Sequence, residues 1–167
     1  MNTGHNNAVP DDTWRGTVNQ EWCDYNDHLN LAYYVVIFDL TTDAFYDTLE
    51  IGENYRKLSN RSWFTAESHV CYLSEVFANE EIRCSTQLID FDSKRLHYFH
   101  RMFRVADQVL VATNELLALH IDLTERKVSG VTPTKLDNIE RMHKVHRSLD
   151  RPQQLGRTIS IPNAMEE

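Results

Sequence analysis

The stretch from Trp22 to Tyr34 contains the residues whose types and spacing best suit chemistry, and Asp24 lies a few positions before a long helical pattern begins. The first backbone N–H groups of a helix lack partners and carry a partial positive charge. A carbonyl oxygen resting on them would be stabilised as it becomes an oxyanion. A carboxylate beside that point can activate water or attack the carbonyl itself. The pattern therefore indicates acyl transfer, although a carboxylate in such a loop also commonly caps a helix or binds its own backbone.

Two further pairs of residues could supply acid–base or nucleophilic groups. Glu67 and His69 are two apart on a predicted strand, so they share one face and form the second candidate acid–base pair. A solvent-exposed strand face is the simpler interpretation of that pair. Cys23 and His28 could form a thiol nucleophile and its base. A buried or unreactive cysteine is more common, and the sequence leaves both alternatives open.

No metal ion or separately bound cofactor is expected. His97 and His100 are three apart on a predicted strand, so they point to opposite faces. His143 and His146 could share a helical face, but no carboxylate–histidine set of the zinc type accompanies them. The chain has five glycines and no phosphate-binding glycine loop.

The hydrophobic pattern predicts an α+β fold. From about residue 30 to residue 49, apolar side chains recur at spacings of three and four, which predicts one long helix with an apolar face. A short strand is predicted before this helix and a meander of four long strands after it. The predicted strands cover residues 13–18, 63–73, 81–90, 94–105 and 109–123. A single sheet with a helix on one face leaves sheet edges with which a second copy of the chain could pair.

The predicted organisation is a polar tail over residues 1–12, a folded domain over 13–131, a C-terminal helix over 132–150 and an extended tail over 151–167. Thr132 and Pro133 support the helix start, as an N-cap hydroxyl followed by proline at the first helical position. In the predicted strand over 109–123, residues 116–119 are apolar on both faces, which predicts burial on both sides.

Composition limits the class of protein and its partners. A formal net charge of -8 argues against general nucleic-acid binding. No apolar run approaches the roughly 20 residues that a membrane helix needs, and the first residues lack the features of a secretory signal. Three cysteines, an odd number without a CxxC pair, argue against a disulfide framework. We expect a cytoplasmic protein without nucleic-acid or membrane partners.

The stretch from Trp22 to Tyr34 also resembles the signature of the 4-hydroxybenzoyl-CoA thioesterase family. In that family an aspartate is followed by a Gly-His-hydrophobic-Asn sequence that opens the central helix of a hotdog fold. The strand order and the Tyr72-Leu73 strand end extend the resemblance over residues 13–131. Asp27 stands where relatives usually have glycine, which puts the local backbone conformation in question. The matching residues are Asp24, His28, Leu29, Asn30 and Tyr34.

The resemblance implies a fold, an activity and roles for several residues. The fold would be a hotdog, with an antiparallel sheet of about five strands wrapped around one long central helix. The activity would be hydrolysis of an acyl-CoA thioester, with coenzyme A as part of the substrate. Asp24 would be the catalytic carboxylate, amides near Asn30 and Leu31 the oxyanion donors, and His28 and Asn30 the residues that shape the turn.

The resemblance also bears on the substrate. Aromatic rings beside acidic residues favour quaternary ammonium groups, and the stretch from Trp22 to Tyr34 is similar to the branch of the family that releases betaine from betainyl-CoA. A small acyl-CoA is therefore expected, with betainyl-CoA as a candidate, and the enzyme is expected to be a homodimer or homotetramer. A non-catalytic module that binds acyl thioesters, or one that only dimerises, is the alternative. The candidate substrate-binding residues are Trp22, Tyr25, Tyr33, Tyr34, Trp63, Glu67 and His69.

The phosphates of coenzyme A call for basic residues along the binding channel. Lys94, Arg95 and Arg101 are candidates, with solvation at the surface as the simpler interpretation of each.

Overall fold

The computed structural model describes residue 10 and residues 12–161. Residues 1–9, 11 and 162–167 lie outside the described residues, and with them most of the predicted N-terminal tail and the end of the predicted C-terminal tail. The elements are β1 (Asp12–Thr17), a 3-10 turn (Gln20–Trp22), α1 (Leu31–Thr48), α2 (Glu53–Ser59), β2 (Arg61–Tyr72), β3 (Glu81–Phe91), β4 (Arg95–Arg104), β5 (Leu110–Asp122), β6 (Lys127–Val128) and α3 (Pro133–His146).

The strands form one antiparallel sheet in the order β1-β3-β4-β5-β2, with β6 paired to β5. The predicted meander is correct for β3, β4 and β5 but wrong for β2, which pairs with β5 and not with β3. The connection over residues 73–80 carries the chain from one side of the sheet to the other. The middle of this connection is held against the segment before α1, because Val76 is buried and its carbonyl oxygen accepts the Leu29 N–H at 2.7 Å.

Helix α1 lies along one face of this sheet and contributes to both hydrophobic clusters of the core. The predicted apolar face is confirmed, with Tyr34, Phe38 and Phe45 all buried. Two buried threonines on the same face, Thr41 and Thr42, bond back to helix carbonyl oxygens at 2.8 and 3.0 Å. Their hydroxyls are thereby satisfied without water, as burial of a polar group requires.

The two edges of the sheet differ. Helix α3 covers the part of β3 that the short β1 leaves unpaired, because His146 Nδ1 accepts the Leu88 N–H at 2.9 Å and His143 Nε2 donates to the Ile89 carbonyl oxygen at 3.2 Å. At the opposite edge, β2 pairs only with β5 within the described part of the chain. An uncovered edge strand of this length is a surface on which another chain can pair.

Some local expectations were wrong. The helix α2 was not predicted. Two-sided burial along β5 lies at residues 111–114 and not at 116–119, where Leu117 and Leu119 are half-buried. Leu117 lines an open cavity on the face of the sheet opposite α1, which explains its exposure.

No helix in the described part of the chain combines the length and the apolar character needed to span a bilayer.

Candidate active site

A small hairpin precedes α1 and carries Asp24. Cys23 and Leu29 form an antiparallel bridge, and the Asp24 N–H donates to the His28 carbonyl oxygen at 2.9 Å. The turn closes through the Asp27 N–H, which donates to the Asp24 carbonyl oxygen at 3.1 Å. Asp27 has φ +64°, the left-handed conformation that glycine adopts most easily. The chain therefore keeps the backbone conformation that suits glycine although the residue there is aspartate.

The Asp24 carboxylate is half-buried, and one of its oxygens is bound to its own turn. Its Oδ1 accepts the Asn26 N–H at 2.8 Å. Its Oδ2 has no hydrogen-bond donor among the described residues. The local backbone bond expected of a loop aspartate is thus present, and the second oxygen remains available to a water molecule or a substrate.

Within the part of the chain that the structure describes, the first turn of α1 has one backbone donor without a partner. The Asn30 N–H donates to the Trp22 carbonyl oxygen at 2.9 Å, so Asn30 is not free to act as an oxyanion donor. The Asn30 side chain caps the helix by accepting the Ala32 N–H at 3.0 Å. The Leu31 N–H has no acceptor within the described residues, and Leu31 is 66% exposed. Of the two predicted amides, Leu31 has the free one.

His28 faces the connection between β2 and β3. Its Nε2 lies 3.6 Å from Glu75 Oε2, and its ring packs edge-on against Phe77 with centroids 5.0 Å apart. The Cys23 thiol donates instead to the Asn19 carbonyl oxygen at 3.9 Å. These contacts hold His28 as a support of the turn, and they give no sign of a cysteine–histidine pair.

Aromatic residues flank the start of α1. Trp22 and Tyr33 stack with centroids 5.7 Å apart and an interplanar angle of 16°. Tyr34 is buried, its hydroxyl donates to the Ser74 carbonyl oxygen at 3.4 Å, and burial raises its pKa to about 12. Tyr25 is 95% exposed at the tip of the hairpin. Tyr72, at the end of β2, completes this group with its hydroxyl 3.4 Å from the Leu31 carbonyl oxygen.

Tyr72 was not among the predicted site residues. It is far from Leu31 in sequence, and the packing of the start of α1 on the end of β2 brings the two together. Its place at the end of a predicted strand, already part of the resemblance, was the one signal that could have indicated it.

Trp63 lies away from this group. It is 6% exposed and packs in the core, with its ring 5.0 Å from His120 and 6.4 Å from Tyr46. A ligand at the start of α1 has no access to a side chain so enclosed.

Glu67 and His69 do share a face, as predicted, but that face is opposite α1. An irregularity in the β2–β5 pairing lies between Thr65 and Glu67. The next residues pair so that Glu67 is opposite Leu117 and His69 opposite Glu115, whereas the alternate residue Leu116 belongs to the α1 core. The structure therefore separates Glu67 and His69 from Asp24 by the thickness of the sheet.

These two residues line a cavity of about 630 Å³. Other lining residues are the pair His97 and Glu115, joined at 2.8 Å, and Gly156, whose N–H donates to the second Glu115 oxygen at 2.6 Å. The cavity thus lies between the sheet and the segment that follows α3.

The basic residues considered for coenzyme A phosphates have different surroundings. Arg95 donates to Asp92 Oδ2 at 2.7 Å in an exposed pair. Arg101 is buried and donates to Gln87 Oε1 at 2.7 Å, so solvation at the surface is the wrong interpretation for Arg101. Burial lowers its pKa, although Asp150 opposes that effect.

The curled antiparallel sheet on one long helix is a hotdog fold, and the class of protein is a thioester hydrolase. The chain belongs to the thioesterase-like superfamily, whose family model matches residues 18–166.

Three comparisons show the extent of the likeness. The betainyl-CoA thioesterase of Pseudomonas aeruginosa is 33% identical over 150 residues, covering 90% of this chain and 94% of that protein. The L-carnitine dehydrogenase/betainyl-CoA thioesterase of Ruegeria pomeroyi is 33% identical over 142 residues, which are 85% of this chain but 28% of that longer protein. A Staphylococcus aureus protein solved in complex with CoA is 28% identical, with a TM-score of 0.85 over 93% of this chain and 98% of that one.

Proposed function

We propose that the chain hydrolyses an acyl-CoA thioester at the start of α1, with Asp24 as the catalytic carboxylate and the Leu31 amide as an oxyanion donor. One observation carries this proposal: the hairpin that carries Asp24 ends at the Asn30–Trp22 bond, and the next residue along the chain has the unpaired amide. A thioester oxygen on the Leu31 N–H would gain most stabilisation as it becomes an oxyanion.

The reaction follows from these positions. Asp24 takes a proton from water, the hydroxide adds to the carbonyl carbon, and the tetrahedral intermediate forms with its negative oxygen on the Leu31 N–H. When the intermediate collapses, the carbon–sulfur bond breaks and the sulfur of coenzyme A leaves with the proton, giving the free acid and the thiol. Direct attack by Asp24 would form an anhydride that water then opens, with the same products.

We propose betainyl-CoA as the substrate. The Pseudomonas aeruginosa thioesterase of that name aligns over nearly its full length. The aromatic group around the start of α1, which includes Trp22, Tyr33 and Tyr72, supports the same substrate because trimethylammonium groups bind well against aromatic faces. The CoA-bound relative supports a coenzyme A ester in general.

We further propose that the enzyme is a cytoplasmic homodimer or a homotetramer built from such dimers. The edge of β2 pairs with no second strand in the described part of the chain, and α1 exposes the apolar side chains of Val36 and Leu40. A second copy paired along β2 would cover this apolar surface and close the site from the side, as obligate homodimer interfaces do.

Thiol release from four esters tests the activity and the substrate together: betainyl-CoA, acetyl-CoA, a long-chain acyl-CoA and tert-butylacetyl-CoA. The last is the neutral isostere of betainyl-CoA, in which carbon replaces the quaternary nitrogen. We expect betainyl-CoA to have the highest kcat/KM. Preference for the neutral isostere or the long chain would contradict the substrate. Tight binding of the esters without turnover would contradict the enzyme and favour a thioester-binding module.

A further inference from the structure

Tyr72 is held in a fixed position beside the first turn of α1. It is the last residue of β2, and its hydroxyl donates to the Leu31 carbonyl oxygen at 3.4 Å. Its ring meets the ring of Tyr34 edge-on, with centroids 5.1 Å apart and an interplanar angle of 83°. Since Tyr34 is itself buried and bonded to the Ser74 carbonyl oxygen, the tyrosine pair is a rigid support.

Much of Tyr72 remains open to solvent. The residue is 48% exposed although its hydroxyl is bonded to Leu31, and the Leu31 side chain is 66% exposed. An exposed aromatic residue is thus tied to the residue whose N–H has no acceptor in the described structure. A thioester oxygen bound to that N–H would bring a short acyl group close to Tyr72.

The other aromatic residues are less well placed to receive a cation. Trp22 and Tyr33 stack on each other, so each ring has a face covered by the other. Trp63 is enclosed in the core, and Tyr25 projects from the tip of the hairpin. Tyr72 is the one of these five aromatic residues whose side chain is hydrogen-bonded to Leu31 in the described structure.

We propose that Tyr72 is a specificity-determining residue, whose ring recognises a quaternary ammonium group on the acyl chain. The inference rests on the proposed function, and it adds the residue that selects the cationic acyl group. In betainyl-CoA one methylene separates the quaternary nitrogen from the carbonyl carbon, so a carbonyl held at Leu31 keeps the cation close to the residue that is bonded to Leu31, Tyr72. An aromatic face attracts a cation and gives no such advantage to a neutral group of the same shape.

Two substitutions of Tyr72 and one control variant separate the contribution of the aromatic ring from that of the hydroxyl. Tyr72→Phe keeps the ring, and Tyr72→Leu keeps apolar bulk without it. Phe64→Leu removes another exposed aromatic ring from β2, near the far end of the strand. For each variant, kcat/KM is measured with betainyl-CoA and with tert-butylacetyl-CoA on one preparation. The ratio of the two values is independent of how much of the preparation is folded.

For Tyr72→Leu we expect the betainyl to tert-butylacetyl ratio to fall about 5- to 20-fold, and we expect it to stay within about 2-fold for Tyr72→Phe and Phe64→Leu. An unchanged ratio in Tyr72→Leu would overturn the proposal, and so would an equal fall in Tyr72→Phe, which would point to the hydroxyl. If wild-type enzyme hydrolysed neither ester, the proposed function would fail. Calorimetry would then measure the affinities of wild type and Tyr72→Leu for the two esters, and the change in the ratio of affinities would still decide the role of the ring.

Discussion

The backbone N–H of Asn30 donates to the Trp22 carbonyl oxygen at 2.9 Å, and this bond joins the start of α1 to the segment that carries Asp24. It occupies one of the two amides predicted to bind an oxyanion and leaves the Leu31 amide as the proposed donor. Because both partners are backbone atoms, the bond fixes the backbone at the start of α1 to the backbone of Trp22, two residues before Asp24. A donor fixed before the substrate arrives is what stabilisation of a transition-state charge requires.

Two substitutions of Asn30 separate its role as a helix cap from the effect of a negative charge at the start of α1. Asn30→Ala removes the oxygen that accepts the Ala32 N–H, and we expect a loss of about 1 kcal/mol in the free energy of unfolding. Asn30→Asp keeps the cap but adds a negative charge where the oxyanion forms, so we expect near-normal stability and a fall in kcat. Urea denaturation and steady-state kinetics measure the two effects. Equal stability of Asn30→Ala and wild type would show that the cap contributes nothing.

The left-handed turn residue gives a second prediction. Asp27 has φ +64°, and glycine relieves the steric cost of that conformation, so we expect Asp27→Gly to be as stable as wild type or more stable by up to about 1 kcal/mol. Asp27→Val, with a branched Cβ, should be less stable by about 1–2 kcal/mol. Thermal unfolding of the two variants tests this, and a valine variant as stable as the glycine variant would contradict the turn geometry.

A buried imidazole predicts loss of stability in acid. His100 is fully buried between the hydroxyls of Thr42 and Thr86, each 2.9 Å from a ring nitrogen. Burial lowers its pKa from 6.5 to about 3. Above pH 6.5 the ring is neutral in both folded and unfolded chains. Below that value the unfolded chain binds a proton that the folded one does not, so stability falls by about 1.4 kcal/mol per pH unit until the folded pKa is reached.

His100→Gln isolates this contribution. Burial also lowers the pKa values of His120 and His146, so both proteins should lose stability in acid. We expect the variant to be less stable than wild type at pH 8, because it disturbs a fully buried contact with Thr42 and Thr86, but to have a shallower slope between pH 6 and 4, by about 1.4 kcal/mol per unit. Parallel slopes for the two proteins in denaturant titrations would contradict a neutral buried His100.

The spacing of apolar residues along the sequence was sufficient to predict most elements of the fold. The spacing of Tyr34, Phe38 and Phe45 predicted α1 to within a residue at each end, because one apolar face repeats over five turns without interruption. The position of β2 could not be predicted in the same way. Alternation identifies a strand but not its neighbour, and the pairing of β2 with β5 depends on a connection over residues 73–80 that packs Val76 under the hairpin.

The candidate site was predictable where its parts are close in sequence. Asp24 and Leu31 lie in one continuous segment, so the resemblance could indicate both. Tyr72 and Trp63 could not be told apart from the sequence, since both are aromatic residues of one strand. Only the three-dimensional packing shows that Tyr72 is exposed beside α1 and that Trp63 is buried in the core. Which side a strand residue faces also changes at a bulge, as it does just before Glu67.

The most direct test of the account is the kcat of Asp24→Asn, measured on the best ester of the panel beside Asp27→Asn. Asparagine keeps the oxygen that accepts the Asn26 N–H, and both variants remove one negative charge from the same hairpin. We expect Asp24→Asn to lose at least about 100-fold in kcat and Asp27→Asn to stay within about 3-fold of wild type. Retention of most activity by Asp24→Asn, or an equal loss in both variants, would contradict Asp24 as the catalytic carboxylate.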